Sequence, residues 1–92
     1  MKYVKVIWRH ENIADPIEIF MELDENDTEV RKIHLYMDGH AEYADANTER
    51  PDTWLSYEPV PAIEDINSDP QFKAVMITKD EFEKKWRDVV EA

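Results

Sequence analysis

The sequence contains no cysteine, a single glycine and no long apolar run. Without cysteine the protein has no disulfide, no thiol nucleophile and no thiolate metal site. One glycine leaves no glycine-rich loop for holding phosphate. No stretch approaches the ~20 apolar residues that a membrane-spanning helix needs, and no apolar signal segment follows the first residues. We therefore expect a cytoplasmic protein.

Basic residues are also scarce, because 11 Lys and Arg stand against 22 Asp and Glu and the formal net charge is -11. Such a charge repels nucleic acid and anionic membranes, and it speeds the encounter with a cationic protein. The excess lies in two segments, residues 15–29 and 51–70, which carry acids and no base. Charge therefore predicts a basic protein partner, no nucleic acid and no membrane.

The sequence does contain enough apolar material for one core. It is 92 residues long and 42% apolar, with three Trp, four Tyr and three Phe. Disordered acidic chains are poor in aromatic and β-branched residues, so the charge does not indicate disorder here. We predict a single domain over residues 1–92, and we expect a monomer.

Alternation of apolar and polar residues predicts successive β-strands. The first, from residue 2 to 10, has apolar side chains on both sides, so we expect the sheet to be covered on both faces there. The second runs from 17 to 24 and the third from about 30 to 37. Matching their apolar positions places Met21 beside Ile33 on the buried face. Phe20 and Tyr36 then share the opposite face, which this register predicts to be less buried.

The connection to a fourth strand depends on Asp38-Gly39. A two-residue turn there would mix core and solvent faces. A three-residue loop, Met37-Asp38-Gly39 with a left-handed Gly39, instead pairs Ile33 with Tyr43. We therefore predict the three-residue loop. The polar stretch from 45 to 57 is compatible with a short edge strand.

Two helices are predicted after the strands. Pro61 suits the first position of a short helix, which Pro70 limits at its far end. Phe72 and residues 75–77 then form an extended connector. Thr78 and Glu81 form a capping box, and an apolar stripe follows at helical spacing. The predicted fold is α+β: an antiparallel β-meander of about four strands, a short helix, and a C-terminal amphipathic helix packed on the sheet.

Motifs for catalysis or metal binding are weak. His10, His34 and His40 lie on separate strands or turns, without the spacing of a metal site. The acidic turn at 24–29 lacks the glycine and the bidentate Glu of a calcium loop. We predict no catalytic, cofactor or metal site. A small enzyme built around His34, Glu42 and Tyr36 remains an alternative.

The most specific prediction is a surface for a basic partner, with acids for steering and aromatics for anchoring. We expect the acidic turn that begins at Asp24 to be where the partner lands. Phe20 and Tyr36 are expected on the less buried sheet face, and Trp54 and Tyr57 in a loop. The predicted partner-binding residues are Asp24, Glu25, Asp27, Glu29, Phe20, Tyr36, Trp54, Tyr57 and Glu58.

Six stretches together form a recognisable pattern. They are the opening Lys-Tyr-x-Lys-Val-x-Trp-x-His, Glu-Leu-Asp at 22–24, Glu-Val-Arg-Lys at 29–32, Asp38-Gly39, Glu58-Pro-x-Pro and the closing Ile-x-Lys-x-Glu-Phe-Glu-x-x-Trp. The pattern resembles a family of small acidic bacterial proteins of uncharacterised function, over nearly the whole chain. That family is similar to the immunity proteins of contact-dependent growth inhibition and other polymorphic toxin systems, which commonly bind and block a toxin nuclease.

Charge and resemblance point to the same function. They predict a cytoplasmic immunity or inhibitor protein that neutralises a basic toxin, a nuclease, by stoichiometric binding that masks the active cleft of the toxin. Two alternatives stay open at this point. One is a small adaptor domain whose acids serve only solubility. The other is the small enzyme that would use His34 and Glu42.

Overall fold

The computed structural model describes residues 1–91 as a five-stranded antiparallel sheet with two helices. The elements, in chain order, are β1 (Lys2–Trp8), β2 (Glu18–Leu23), β3 (Glu29–Leu35), β4 (Ala41–Ala44), α1 (Ile63–Asn67), β5 (Phe72–Met76) and α2 (Lys79–Val90). The strand order is β4-β3-β2-β1-β5. The α+β prediction is confirmed. Among the described residues no helix is long and apolar enough to span a membrane.

The sheet is covered on both faces, as the pattern of β1 predicts. Val4 and Val6 pack on the side that carries α1, whereas Tyr3 packs on the side that carries α2. We call these two sides the α1 face and the α2 face. Successive side chains of a strand point to opposite faces, so one strand with apolar residues on both sides contributes to two cores.

The core of the α2 face joins β1, β2, β3 and α2 through four buried residues: Tyr3, Phe20, Ile33 and Phe82. Phe82 and Ile33 are both fully buried. The capping box that begins α2 forms as predicted, since the Thr78 hydroxyl accepts from the Glu81 backbone N–H at 3.1 Å and the Glu81 carboxylate accepts from the Thr78 backbone N–H at 3.3 Å. Capping fixes where α2 begins and therefore which of its residues face the sheet.

The core of the α1 face consists of smaller side chains from the strands: Val4, Val6, Met21, Leu23 and Ala74. Val60, Ile63 and Ile66 pack against it from the segment that contains α1. The helix begins at Ile63 after Ala62 as N-cap, so the prediction that Pro61 is its first residue is wrong by two positions. It has only five residues and leaves much of this face to irregular chain.

The predicted register between β2 and β3 is wrong by one residue. Phe20 pairs with Ile33, and Glu22 pairs with Arg31, but Leu23 pairs with Glu29. The extra residue at this shift is Val30, which forms a β-bulge. Because a one-residue slip moves every side chain to the other face, Ile33 packs beside Phe20 on the α2 face instead of beside Met21.

The hairpin between β3 and β4 is the one predicted. The Tyr36 N–H donates to the His40 carbonyl at 3.0 Å, and the Gly39 N–H donates to the Tyr36 carbonyl at 3.0 Å. Gly39 has φ of 90°, and Ile33 pairs with Tyr43. The three-residue loop is confirmed because only a left-handed residue closes it without strain.

Two predictions about extended segments are corrected. Residues 72–76 are a fifth strand paired with β1, not only a connector. Residues 45–57 contain two isolated bridges and no edge strand. Beside β5 the Asn67 side chain donates to the Ala74 carbonyl at 3.0 Å and accepts from the Ala74 N–H at 2.6 Å. This amide occupies the position that a further strand would take.

Candidate functional site

The segment from Thr53 to Pro70 lies across the α1 face and is held there by three contacts. The Thr53 hydroxyl and Nδ1 of His34 share a hydrogen bond of 3.0 Å. The Ser56 N–H donates to the Glu29 carboxylate at 2.8 Å. The Val60 N–H donates to the Asp27 carbonyl at 2.8 Å, which brings the acidic turn beside this segment. The two acidic regions of the sequence therefore meet on one side of the molecule.

The two faces differ in charge. From residue 51 to 70 there are five acids and no base, all of them exposed: Asp52, Glu58, Glu64, Asp65 and Asp69. From residue 79 to 90, in α2, four bases balance four acids. The only lysines that reach the acidic side within the described contacts are Lys2 and Lys32, and each forms an ion pair with an acid. The negative charge of the molecule is thus concentrated over the α1 face.

Of the four predicted aromatic anchors, two are available and two are not. Tyr57 is 95% exposed and Trp54 is 55% exposed, both in the segment over the α1 face. Phe20 and Tyr36 are only 8% and 4% exposed, so the prediction that they lie on a less buried face is wrong. The β-bulge also separates them, since Phe20 packs in the core of the α2 face while Tyr36, two residues beyond His34, belongs to the opposite face.

The acidic turn is less free than its composition suggests. The Asp24 carboxylate accepts from the N–H groups of Asn26 and Thr28 at 2.8 and 3.0 Å. Asp27, in a left-handed conformation with φ of 62°, binds Lys2 at 2.6 Å. These side chains stabilise the turn that connects β2 to β3.

The other acids predicted to bind a partner divide in the same way. Glu29 is 8% exposed and binds Lys32 at 2.8 Å, so its charge is neutralised inside the protein. Glu25 and Glu58 are exposed, and neither carboxylate has a hydrogen bond or ion pair among the contacts that the structure describes. Those two acids therefore remain free to contact a partner, as the sequence predicts.

His34 is the group on which a catalytic alternative depends. It pairs with Glu42 across the hairpin between β3 and β4, and its ring bonds Thr53. Burial, aided by the positive charge of Lys32, lowers the pKa of His34 to about 4. An imidazole with this pKa is uncharged and weakly basic at neutral pH. Among the described residues no three or more His, Cys, Asp and Glu are grouped to hold a metal ion.

A second charged cluster lies under α2 and is structural. Arg31 donates to Glu22 at 2.6 and 3.0 Å and to Glu83 at 2.8 Å, and the Tyr3 hydroxyl donates to Glu22 at 2.9 Å. The hydrogen bonds from Arg31 lower the pKa of Glu22 and of Glu83, against the opposing effect of burial. Its guanidinium carbon lies 4.9 Å from the ring centroid of Phe82. No sequence pattern predicts this cluster, because its members lie far apart in the chain.

Three shallow clefts open on the α1 face. One, of about 420 Å³, is lined by Val6, Pro61, Asp65, Ile66, Asp69 and Phe72. A second, of about 350 Å³, is lined by Glu64 and by the ion-paired Lys2 and Asp27. A third, of about 280 Å³, is lined by Lys32, His34, Asp52, Trp54 and Ser56. Asp69 was not singled out by sequence reasoning, since an isolated acid before a proline marks only a turn.

Comparison with known proteins identifies the family of this chain. The family model described as Domain of unknown function (DUF6881) matches residues 2–91. No curated protein and no solved structure matches the chain. The match covers nearly the whole chain, and it assigns the chain to a family without assigning an activity.

Proposed function

We propose that this chain, which belongs to the DUF6881 family, is a stoichiometric inhibitor of a basic toxin domain. In this proposal it is an immunity protein of the bacterial cytoplasm, and the toxin is a nuclease whose active cleft it masks. A nuclease surface is built to bind phosphates, so an acidic surface of matching shape competes with its substrate. The mechanism requires binding and no chemistry from this chain.

The observation that carries the proposal is the difference between the two faces. The α2 face is covered by a regular helix of balanced charge, whereas the α1 face is covered by exposed acids together with Trp54 and Tyr57. Acids increase the rate of encounter with a basic surface, and exposed aromatics supply the contact area that holds it. A protein whose acids served only solubility would have no reason to concentrate them on one face beside aromatics.

The shape of the α1 face also supports binding of another protein. It presents shallow open clefts instead of one deep cavity. His34, Asp52 and Ser56 line one of these clefts, but no hydrogen bond joins any two of these three side chains among the described residues, since the His34 ring bonds Thr53 and the Ser56 hydroxyl bonds the Glu58 backbone. Small-molecule sites are usually deep and enclosed, whereas protein interfaces are broad. The pKa of His34, about 4, gives no support to the enzyme alternative.

The proposal is tested with the C-terminal domain of the large secreted protein that we expect the neighbouring upstream gene to encode. Bacteria that produce this domain alone should stop growing, and bacteria that also produce this chain should survive. The two purified proteins should form a one-to-one complex in which nuclease activity is lost. Cells that die equally with and without this chain would contradict the proposal.

A further inference from the structure

The cleft of about 420 Å³ on the α1 face has apolar residues and two acidic residues in its lining. Val6 on β1, Ile66 on α1 and Phe72 on β5 supply its apolar surface. Asp65 and Asp69 line the same cleft, and both residues are exposed. Neither carboxylate has a cationic partner among the ion pairs of the described residues. An apolar surface and two unpaired negative charges thus share one opening of about 420 Å³.

The chain holds these groups in fixed relation. The Asp69 carbonyl accepts from the Phe72 N–H at 3.0 Å, and the Asp69 carboxylate accepts from the Gln71 N–H at 2.9 Å. The paired hydrogen bonds between Asn67 and Ala74 fasten the end of α1 to β5. The turn that carries Asp69 is therefore tied to the strand that carries Phe72, and the opening is built into the fold.

We propose that this cleft receives an arginine side chain of the basic partner. The methylene stem of arginine would lie on Val6 and Ile66, while the planar guanidinium would cover the Phe72 ring and bind the two carboxylates. The inference rests on the proposed function, because the arginine belongs to the partner that this function requires. It names the point on the α1 face at which the partner would be held, which charge alone does not specify.

The same chemistry already occurs within this protein. Arg31 lies between two carboxylates, those of Glu22 and Glu83, and its guanidinium is 4.9 Å from the ring centroids of both Phe82 and Trp86. The cleft of the α1 face offers the corresponding carboxylates and one aromatic ring to a cation of another molecule. A second copy of this chain is the poorer occupant, since two molecules of net charge -11 repel each other.

The test uses n-butylguanidinium, which copies the stem and head of arginine, in a titration followed by ¹H–¹⁵N NMR. We expect saturable shifts at millimolar concentration that centre on the backbone amides of Asp65, Ile66 and Phe72. Guanidinium without the stem and 1-butanol without the charge should each bind at least about threefold more weakly. n-Butylammonium, which copies lysine, should also bind more weakly because its head is not planar.

Two double variants of equal net charge distinguish the effect of the cleft from the effect of the net charge. Asp65→Asn with Asp69→Asn should weaken n-butylguanidinium binding about fivefold. The amide that replaces the Asp69 carboxylate keeps an oxygen that can accept from the Gln71 N–H, so the turn should persist. Asp88→Asn with Glu91→Gln, two exposed acids at the end of α2, changes the net charge by the same amount and should leave binding unchanged.

Three results would overturn the inference: shifts that spread over the acidic surface, equal binding by n-butylammonium or 1-butanol, or unchanged binding in the doubly substituted cleft. The outcome is independent of the survival experiment. If the chain protects cells but does not bind n-butylguanidinium in the cleft, the proposed function stands and the arginine cleft is refuted. If the chain binds n-butylguanidinium in the cleft but protects no cells, the cleft binds a guanidinium group and the proposed function is refuted.

Discussion

The charged residues of this protein fall into two groups, which differ in burial. Glu22 is 6% exposed and is held by Arg31 and Tyr3, so its charge stabilises the packing of α2. Removing one partner of such a buried pair would leave the other charge uncompensated inside the protein. Because these residues are buried and bound to each other, they are poor candidates for binding another protein. Glu58 and Asp65, in contrast, are exposed and form no ion pair within residues 1–91, so their charges face solvent.

His34 provides a pH-dependent test at the scale of one residue. Burial lowers the pKa of His34 in the folded protein from 6.5 to about 4. Between these two values the unfolded chain binds a proton that the folded protein does not, so stability falls as the pH falls from about 6.5 to about 4. The contribution of neutral His34 is fully present above pH 6.5 and is lost through this range.

The corresponding experiment compares the wild type with His34→Gln. We expect the difference in the free energy of unfolding, wild type minus variant, to be constant above pH ~7 and to decrease between pH ~6.5 and ~4. Urea denaturation at several pH values gives this difference, and NMR titration of the His34 ring should give a midpoint near 4. A ring that titrates near 6.5 would contradict the burial argument and would revive the enzyme alternative.

At the scale of elements, the two hairpins show what local sequence determines. The loop at Met37-Asp38-Gly39 was predictable because a glycine marks the left-handed position. The turn from Asp24 to Thr28 uses Asp27 as its left-handed residue and places an extra residue, Val30, in β3. Neither feature has a sequence signal as strong as glycine. The register error and the wrong placement of Phe20 both follow from that turn.

The strand β5 was missed for a different reason. Its central residue, Ala74, has little tendency to form a strand. Ala74 is the only buried residue of β5, because Phe72 is half-buried and Val75 and Met76 are exposed, so burial does not alternate along the strand. Pairing with β1, more than 60 residues earlier in the chain, decides its conformation. Such long-range pairing leaves no local pattern. The capping box of α2, by contrast, lies within four residues and was fully predictable.

Asn67 is expected to protect the free edge of β5. Asn67→Ala removes two hydrogen bonds to the Ala74 backbone, and we expect a loss of about 1–2 kcal/mol in the free energy of unfolding by urea denaturation. It also exposes an unpaired strand edge, so light scattering should detect self-association at high concentration.

Asn26→Ala is the matched control for this substitution. The Asn26 side chain is exposed and makes no hydrogen bond among the described residues, so the change should alter stability by less than about 0.5 kcal/mol. If the two variants were equally stable and remained monomeric, the edge-protection argument would be wrong.

At the scale of the whole molecule, the net charge was readable from the sequence but its arrangement was not. The acidic turn was the expected landing place for a partner, yet Asp24, Asp27 and Glu29 are engaged in internal contacts. Exposed acids lie instead in the segment from Thr53 to Pro70. Long-range hydrogen bonds hold this segment against the α1 face. No local pattern predicts which face a loop will cover.

The central claim, that a basic partner binds the acidic α1 face, is tested most directly by association rates measured in stopped flow with the cognate toxin domain. Glu58→Gln, Glu64→Gln and Asp65→Asn together remove three of the five exposed acids of residues 51–70. Three exposed acids of α2 and its end provide a control of equal charge: Asp80→Asn, Asp88→Asn and Glu91→Gln. The first variant should associate about tenfold more slowly at low salt, and the control should change by less than about twofold.

Salt provides the second half of the same measurement. Dissolved ions screen the attraction between charges that lie farther apart than ~10 Å at ~0.1 M salt, and this distance becomes shorter as the salt concentration rises. The difference between the α1-face variant and the wild type should largely disappear at ~0.5 M salt. Equal slowing by both variants would show that net charge acts without a specific face. A wild-type rate that is the same at low and high salt would contradict electrostatic binding of a basic partner.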